Sequence, residues 1–312
     1  MSMAAPSESS NAGLGLQQRR PHALGERFIS ILLMTAAALS VVTTFAIVLS
    51  LAGDTVAFFR EVSVIEYLTG TLWTPLFSNP RFGIWPLITA TFMTSAIAML
   101  VAVPFGLAIA VYLSEFASLR ARSLIKPLLE VLAGIPTVVY GYFALTAVTP
   151  FLRGFIPEIK SFNSLSAGLV MGVMIIPIVA SLTEDAFNAV PRGLREGAYG
   201  LGAMRHEVAL RVVFPAALSG VAAALLLALS RAVGETMIVA LAAGQNPTFT
   251  LDPLVPVSTM TAYIVQVSLG DTPYGSIGYK TIFAVGATLF IITFAINFGS
   301  TLIVRRFRER YD

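Results

Sequence analysis

Two charged side chains, Arg231 and Glu235, stand four residues apart inside an otherwise apolar run from Ala216 to Ala243. On a continuous helix Arg231 lies about 22 Å from the start of that run, at ~1.5 Å per residue, which is roughly the middle of a bilayer. A charge left there costs on the order of 2.5 to 3.5 kcal/mol even on the lenient insertion scale, so the pair is expected to face a partner or a water-filled path rather than lipid. A spacing of four places both groups on one helix face and within reach of each other, although Arg before Glu is the less favourable order for the helix dipole. Two chemistries fit. Either the pair fixes helix packing, or Arg231 offers its planar fork of donors to an oxyanion while Glu235 accepts a hydrogen bond from a protonated one. The second arrangement would separate phosphate from sulfate, which has no proton to give at neutral pH.

Other reactive residue types offer less. The chain has no cysteine, which removes thiol chemistry and Cys-type metal sites, and its two histidines, His22 and His206, lack carboxylates at ligand spacing. No metal site is expected. A phosphate-cradling loop needs Gly followed by Lys, and none of Lys126, Lys160 and Lys280 follows a glycine. Glu130 is expected either to snorkel to the cytoplasmic membrane surface or to meet the cytoplasmic loop at 183–215, the first being favoured, and Glu184 and Asp185 to be solvated at the end of an apolar span. The arginines after the last apolar run read as a topology anchor, not as a nucleic-acid patch.

The elements that position these groups are membrane spans. Of the 312 residues 56% are hydrophobic and 12% charged, with mean hydropathy +0.81, and several runs reach the length needed to cross a bilayer. Six spans are expected, at Phe28–Ala52, Ile84–Leu113, Leu124–Val148, Leu165–Leu182, Ala216–Ala243 and Ile282–Val304. Trp73 and Trp85 are of a type that favours the membrane–water interface. The domain reading is a flexible tail at 1–27, a six-helix membrane domain at 28–304 with a loop at about 183–215, and a basic tail at 305–312. With both termini inside, 14 Lys and Arg fall on the cytoplasmic side and five outside, with Arg231 in the membrane. That asymmetry selects both termini as cytoplasmic. The stretch from Gly244 to Lys280 is expected to be a polar return outside.

The loop at 183–215 is the one long amphipathic stretch. Leu194, Ala198 and Leu201 form one apolar stripe; Gly200 and Gly202 offer a turn; Val208, Leu210, Val212 and Val213 form a second stripe leading to Pro215. Such a pair of short helices lies either on lipid headgroups or on a partner protein.

Glu196-Gly197-Ala198, three residues, Gly202, nine residues, then Val212-x-Phe214-Pro215 resembles the EAA loop of ABC importer permeases, with Gly197 in place of the central alanine and Val212 and Phe214 in place of Ile and Leu. Gly134 to Gly141, Ile176 to Ala186 and Ser230 to Met237 look like the permeases of phosphate uptake systems, more like the PstC than the PstA type. The resemblance implies an all-α, polytopic integral membrane protein with six transmembrane helices in the type I ABC importer permease fold, in a bacterial cell membrane. It implies a passive pathway through Arg231 and Glu235, coupled through Glu196, Gly197, Ala198, Gly202, Val212, Phe214 and Pro215. It further implies a second permease of the PstA type, a dimer of ATP-binding subunits of the PstB type, which would hold the ATP and magnesium, and an extracytoplasmic phosphate-binding protein of the PstS type. That binding protein would dock on the loops at 53–83, 149–163 and 244–281. The chain itself would carry no cofactor. Sulfate or molybdate remain alternative substrates, and an ion-coupled secondary transporter is the reading from another class.

Overall fold

A computed structural model describes residues 23–307, and side chains from 25 to 302. Arg19, Arg20, His22, Arg308 and Arg310 lie outside the described residues, as do residues 1–22 of the expected tail. Residues 23–27, expected in that tail, are helical.

Chain contacts divide the molecule into Met1–Ser50 and Leu51–Asp312. In the first unit residues 23–50 belong to α1 (Ala23–Phe59), whose side chains Phe28, Leu32, Leu33 and Met34 are exposed. The second unit continues with α2 (Val64–Thr69), α3 (Trp85–Val111), α4 (Leu119–Gly134), α5 (Thr137–Phe143), α6 (Thr149–Arg153) and α7 (Ser164–Asn188). Then come the short α8 (Arg192–Gly200), α9 (Arg205–Val208) and α10 (Phe214–Ala216). The unit closes with α11 (Leu218–Val233), α12 (Met237–Ala242), α13 (Met260–Leu269) and α14 (Ile277–Phe307). Among the described residues there is no strand, only an isolated bridge between Trp73 and Phe82.

Among the described residues, four continuous helical runs are long and apolar enough to cross a membrane: Gly25–Phe59, Trp85–Phe116, Ser164–Asn188 and Ile277–Leu302. Two more candidates are bent pairs, Leu119–Gly134 with Thr137–Arg153 at 86° and Arg205–Ala216 with Leu218–Val233 at 74°. The expected third span is therefore sharply broken. Its cause is local. Pro136 has no backbone N–H to donate to the carbonyl four residues back and pushes Ile135 out of the helical region, to φ −65° and ψ 129°. The carbonyl left over is that of Leu132, and the Tyr140 hydroxyl donates to it at 2.7 Å.

The centre of the second unit is the pairing of α3 with α7. Gly168 and Gly172, four apart on α7, let α3 approach so closely that a Cβ on either would come within 2.7 Å of the Ile97 or Val101 side chain. Small residues at this spacing are how helices pack where no water drives them together.

Two expectations change here. Trp73 is 1% exposed and stacks edge-on against Tyr263 with ring centroids 5.1 Å apart, so it is a core residue. Trp85 stays half-exposed with its indole N–H donating to the Leu68 carbonyl at 2.7 Å. The stretch from 244 to 280 is not simply a polar return: α13 lies within it and buries Met260, Ala262, Tyr263 and Val267.

Candidate functional site

The fifth apolar run does not carry Arg231 and Glu235 on one continuous helix. Arg231 sits in the last turn of α11, and Glu235 lies in the break between α11 and α12. Glu235 is 3% exposed, and its Oε1 accepts from the backbone N–H of Met237 at 3.1 Å and of Ile238 at 3.5 Å. Those are orphan donors at the start of α12, which a carboxylate suits. The Glu235 carbonyl in turn accepts from the Thr261 hydroxyl at 2.7 Å, tying the break to α13. Glu235 is thus fixed at its carboxylate by two backbone N–H groups and at its carbonyl by the Thr261 hydroxyl. The remaining oxygen, Oε2, comes 3.7 Å from Arg231 Nη2. Proximity of the two charges is as the sequence suggested; the shared helix face is not.

Among the described residues Arg231 has only that one salt-bridge partner. Its side chain is 48% exposed and lines an open pocket of about 710 Å³ between α4, α7 and α11. Lys126, Glu130 and Glu184 contribute the other charges of that wall. Glu184, expected to be solvated, is buried instead. Its Oε1 accepts from Lys126 Nζ at 3.0 Å and from Asn188 Nδ2 at 3.3 Å, and Arg122 Nε lies 3.6 Å away. Removing a carboxylate from water is costly unless cations come with it, and α4 supplies two, one turn apart. Glu130 is exposed.

The loop after α7 is a second constellation. α8 ends in a Schellman turn: Ala203 N–H donates to Ala198 O at 3.1 Å and Gly202 N–H to Tyr199 O at 2.9 Å, with Gly202 at φ +85°. Gly202 is therefore required by backbone geometry, not by contact. Glu196 is exposed and lines a cleft of about 540 Å³ together with Arg122, Arg192 and Arg195. Gly197 has no atom near a would-be Cβ and helical backbone, so nothing in the fold demands glycine there.

Of the two expected stripes only part turns inward. Ala198, Val208, Val212, Val213 and Phe214 pack with Phe187 and Val221, whereas Leu201 is 91% and Leu210 60% exposed. Pro215 is exposed at the bend into α11. Leu194, Tyr199, Leu201, Met204 and Leu210 thus leave an apolar outer face on the loop. Met204 N–H donates to Glu207 Oε2 at 3.0 Å, and this bond holds the Glu207 carboxyl below the usual range, with Arg211 and His206 adding a smaller push the same way.

One residue that sequence reasoning counted only as a positive charge anchors this loop. Arg195 donates from Nε and Nη2 to Glu115 Oε1 at 3.2 and 3.1 Å, from Nη1 to Val190 O at 2.7 Å and from Nη2 to Phe187 O at 2.6 Å. Glu115 lies in a π-helical segment, Tyr112–Phe116, that follows α3. A partner 80 residues away leaves no local signal in the sequence. Among the described residues no group of three or more His, Cys, Asp or Glu is placed to hold a metal.

Residues 102–311 match the family described as binding-protein-dependent transport system inner membrane component. The chain is 35% identical over 233 residues to the probable ABC transporter permease protein YqgH of Bacillus subtilis, covering 75% of each chain. It is 35% identical over 250 residues to the phosphate transport system permease protein PstC of Mesorhizobium japonicum, covering 74% of this chain and 75% of that one. In structure it is similar to a chain of a bacterial ABC transporter involved in the import of the acidic polysaccharide alginate, with TM-score 0.62 at 17% identity over 92% of this chain and 100% of that one. A chain of the MetNI methionine ABC transporter, crystallised in inward-facing conformations, gives TM-score 0.55 at 20% identity over 73% and 95%. At such identities these two likenesses bear on the fold alone.

Proposed function

The chain belongs to the binding-protein-dependent transport system inner membrane component family, and from that premise we propose that it is the PstC-type permease of an ATP-driven phosphate importer. It is a multi-pass membrane transport subunit, and its family works with an ATPase and a substrate-binding protein. In the reading proposed here the partners are a PstA-type permease, a PstB-type ATPase dimer carrying ATP and magnesium, and a PstS-type phosphate-binding protein. Both termini are cytoplasmic, as the distribution of Lys and Arg favours.

The observation that carries the substrate assignment is the unequal hold on Arg231 and Glu235. Glu235 is pinned by two backbone N–H groups, while the Arg231 guanidinium is half-exposed on the wall of a pocket of about 710 Å³. A guanidinium with free donors binds phosphate oxygens in a fork. Glu235 Oε2, 3.7 Å from it, is placed to accept a proton-bearing phosphate oxygen. Weak contact serves transport, because capture belongs to the binding protein.

Energy enters at the other constellation. Leu194, Tyr199, Leu201, Met204 and Leu210 form the apolar face on which the ATPase docks, with Glu196 beside it. Glu196, Gly197, Ala198, Gly202, Val212, Phe214 and Pro215 transmit the ATPase movement: the first four shape the docking helix and the last three join it to α11. Pro215 stands at the 74° bend into the helix that carries Arg231.

Uptake of radiolabelled phosphate by the reconstituted full assembly tests the assignment. Arg231→Lys and Glu235→Gln are each expected to lower uptake by about tenfold or more at equal protein level, the magnitude of a lost charge-assisted hydrogen bond. Sulfate and molybdate should compete poorly. Near wild-type uptake in both variants, or uptake that needs no ATPase, would remove the reading.

A further inference from the structure

Glu184 holds more positive charge than it needs. It is buried, its side chain 2% exposed, and a single cation would suffice to offset a buried carboxylate. Two converge on its Oε1: Lys126 Nζ at 3.0 Å and Arg122 Nε at 3.6 Å, from successive turns of α4. The two are not equivalent. Arg122 is anchored separately, donating from Nη2 to the Leu113 carbonyl at 2.6 Å, and it lines the cleft beside α8. Lys126 is 42% exposed and lines the pocket that holds Arg231. Its ammonium is a compact charge on a flexible four-carbon stem, able to swing without disturbing the helix. Arg122 therefore stays to neutralise Glu184 if Lys126 leaves it.

We propose that Lys126 is a second anion-contacting residue of the translocation pathway, released from Glu184 to meet phosphate as it passes Arg231. This rests on the reading that the pocket is the phosphate passage. Glu184 acts as the resting place of the lysine, and Arg122 keeps that buried carboxylate paired during the exchange. Two cations lining one pocket, from α4 and α11, match the divalent charge of the anion. Glu130 also lines this pocket from α4, but it is exposed, so solvent screens its repulsion.

The test uses the complete assembly in proteoliposomes, with the binding protein outside and ATP within, and inorganic phosphate as the probe. Lys126→Gln is expected to lower uptake by about tenfold and Lys126→Arg to keep more than about half of it. A purely structural lysine would act only through Glu184. Lys126→Gln should therefore still lower uptake severalfold in a Glu184→Gln background, where no buried carboxylate needs a partner. Because the chain contains no cysteine, Lys126→Cys provides a variant that can be altered after assembly. A cationic methanethiosulfonate should raise its uptake and an anionic one should not; this decides the matter if Lys126→Gln fails to assemble. Uptake within about twofold of wild type in Lys126→Gln, no further loss in the Glu184→Gln background, or equal response to both reagents overturns the proposal. Arg231→Gln is the control: if it fails while Lys126→Gln transports normally, only the role of Lys126 falls. If Arg231→Gln transports normally too, the pocket is not the passage.

Discussion

Arg195 and Arg231 each have a glutamate beside them, and the fold treats them in opposite ways. Arg195 is 16% exposed and makes four hydrogen bonds, two to Glu115, one to the Phe187 carbonyl in the last turn of α7 and one to the Val190 carbonyl just beyond it. Arg231 is 48% exposed and meets Glu235 at a single 3.7 Å approach. A guanidinium with four of its five donors committed is a mechanical joint. One with donors to spare is available to something that comes and goes. The first ties α8 to α7 and to the end of α3, where force must pass without slack; the second waits in a pocket.

The sharpest way to break this contrast is to delete each head group and compare stability with transport. Arg195→Met leaves Glu115 buried without a counter-charge, and a loss of about 3 to 5 kcal/mol is expected, read as a fall in thermal stability of the solubilised chain. Arg231→Met should cost less, because the buried Glu235 keeps its two backbone N–H donors and loses only a 3.7 Å approach, while abolishing phosphate uptake. Equal destabilisation by the two would end the distinction.

A smaller effect separates the glycines of the loop beside Arg195. Gly202→Ala forces a Cβ onto φ +85° and should destabilise by about 1 to 2 kcal/mol. Gly197→Ala meets empty space and should stabilise by up to about 1 kcal/mol. Thermal melts of the two variants should shift in opposite directions.

The smallest effect concerns pH. The Glu207 carboxyl lies below its usual range because Met204 N–H donates to it. Its contribution is therefore complete above the ordinary carboxylate range and fades as pH falls through the lowered value. Glu207→Gln should melt at nearly the same temperature as wild type at acid pH and slightly lower at neutral pH. The Arg195 joint, which has no such bond, should be indifferent to that substitution.

The membrane character of the chain and the loop were legible because both are written in local pattern: apolar runs of fixed length, and glycine where backbone must turn left-handed. The bends were half legible. A proline at 136 removes a backbone donor, but averaging hydropathy over a run cannot distinguish a straight span from one turned by 86°. The break at Gly234–Thr236 was hidden by the apolar residues on both sides, so Arg231 and Glu235 were expected on one helix face when Glu235 instead begins the next helix. Glu184 and Glu115 were not legible at all. An acidic residue at the end of an apolar run looks solvated until the helix bringing Arg122 and Lys126, or the loop bringing Arg195, is in place.

The bend at Pro136 carries a consequence for how this sequence can drift. The proline strands the Leu132 carbonyl, and the Tyr140 hydroxyl one turn later satisfies it at 2.7 Å. Neither residue has its value alone. Tyr140→Phe in the present chain leaves an acceptor without a donor, whereas after a change at 136 that restored a backbone N–H the same loss would be nearly silent. Substitutions at 136 and 140 should consequently be non-additive. Related chains able to do without the proline should be free to lose the phenol with it, because one covers a deficit that the other creates.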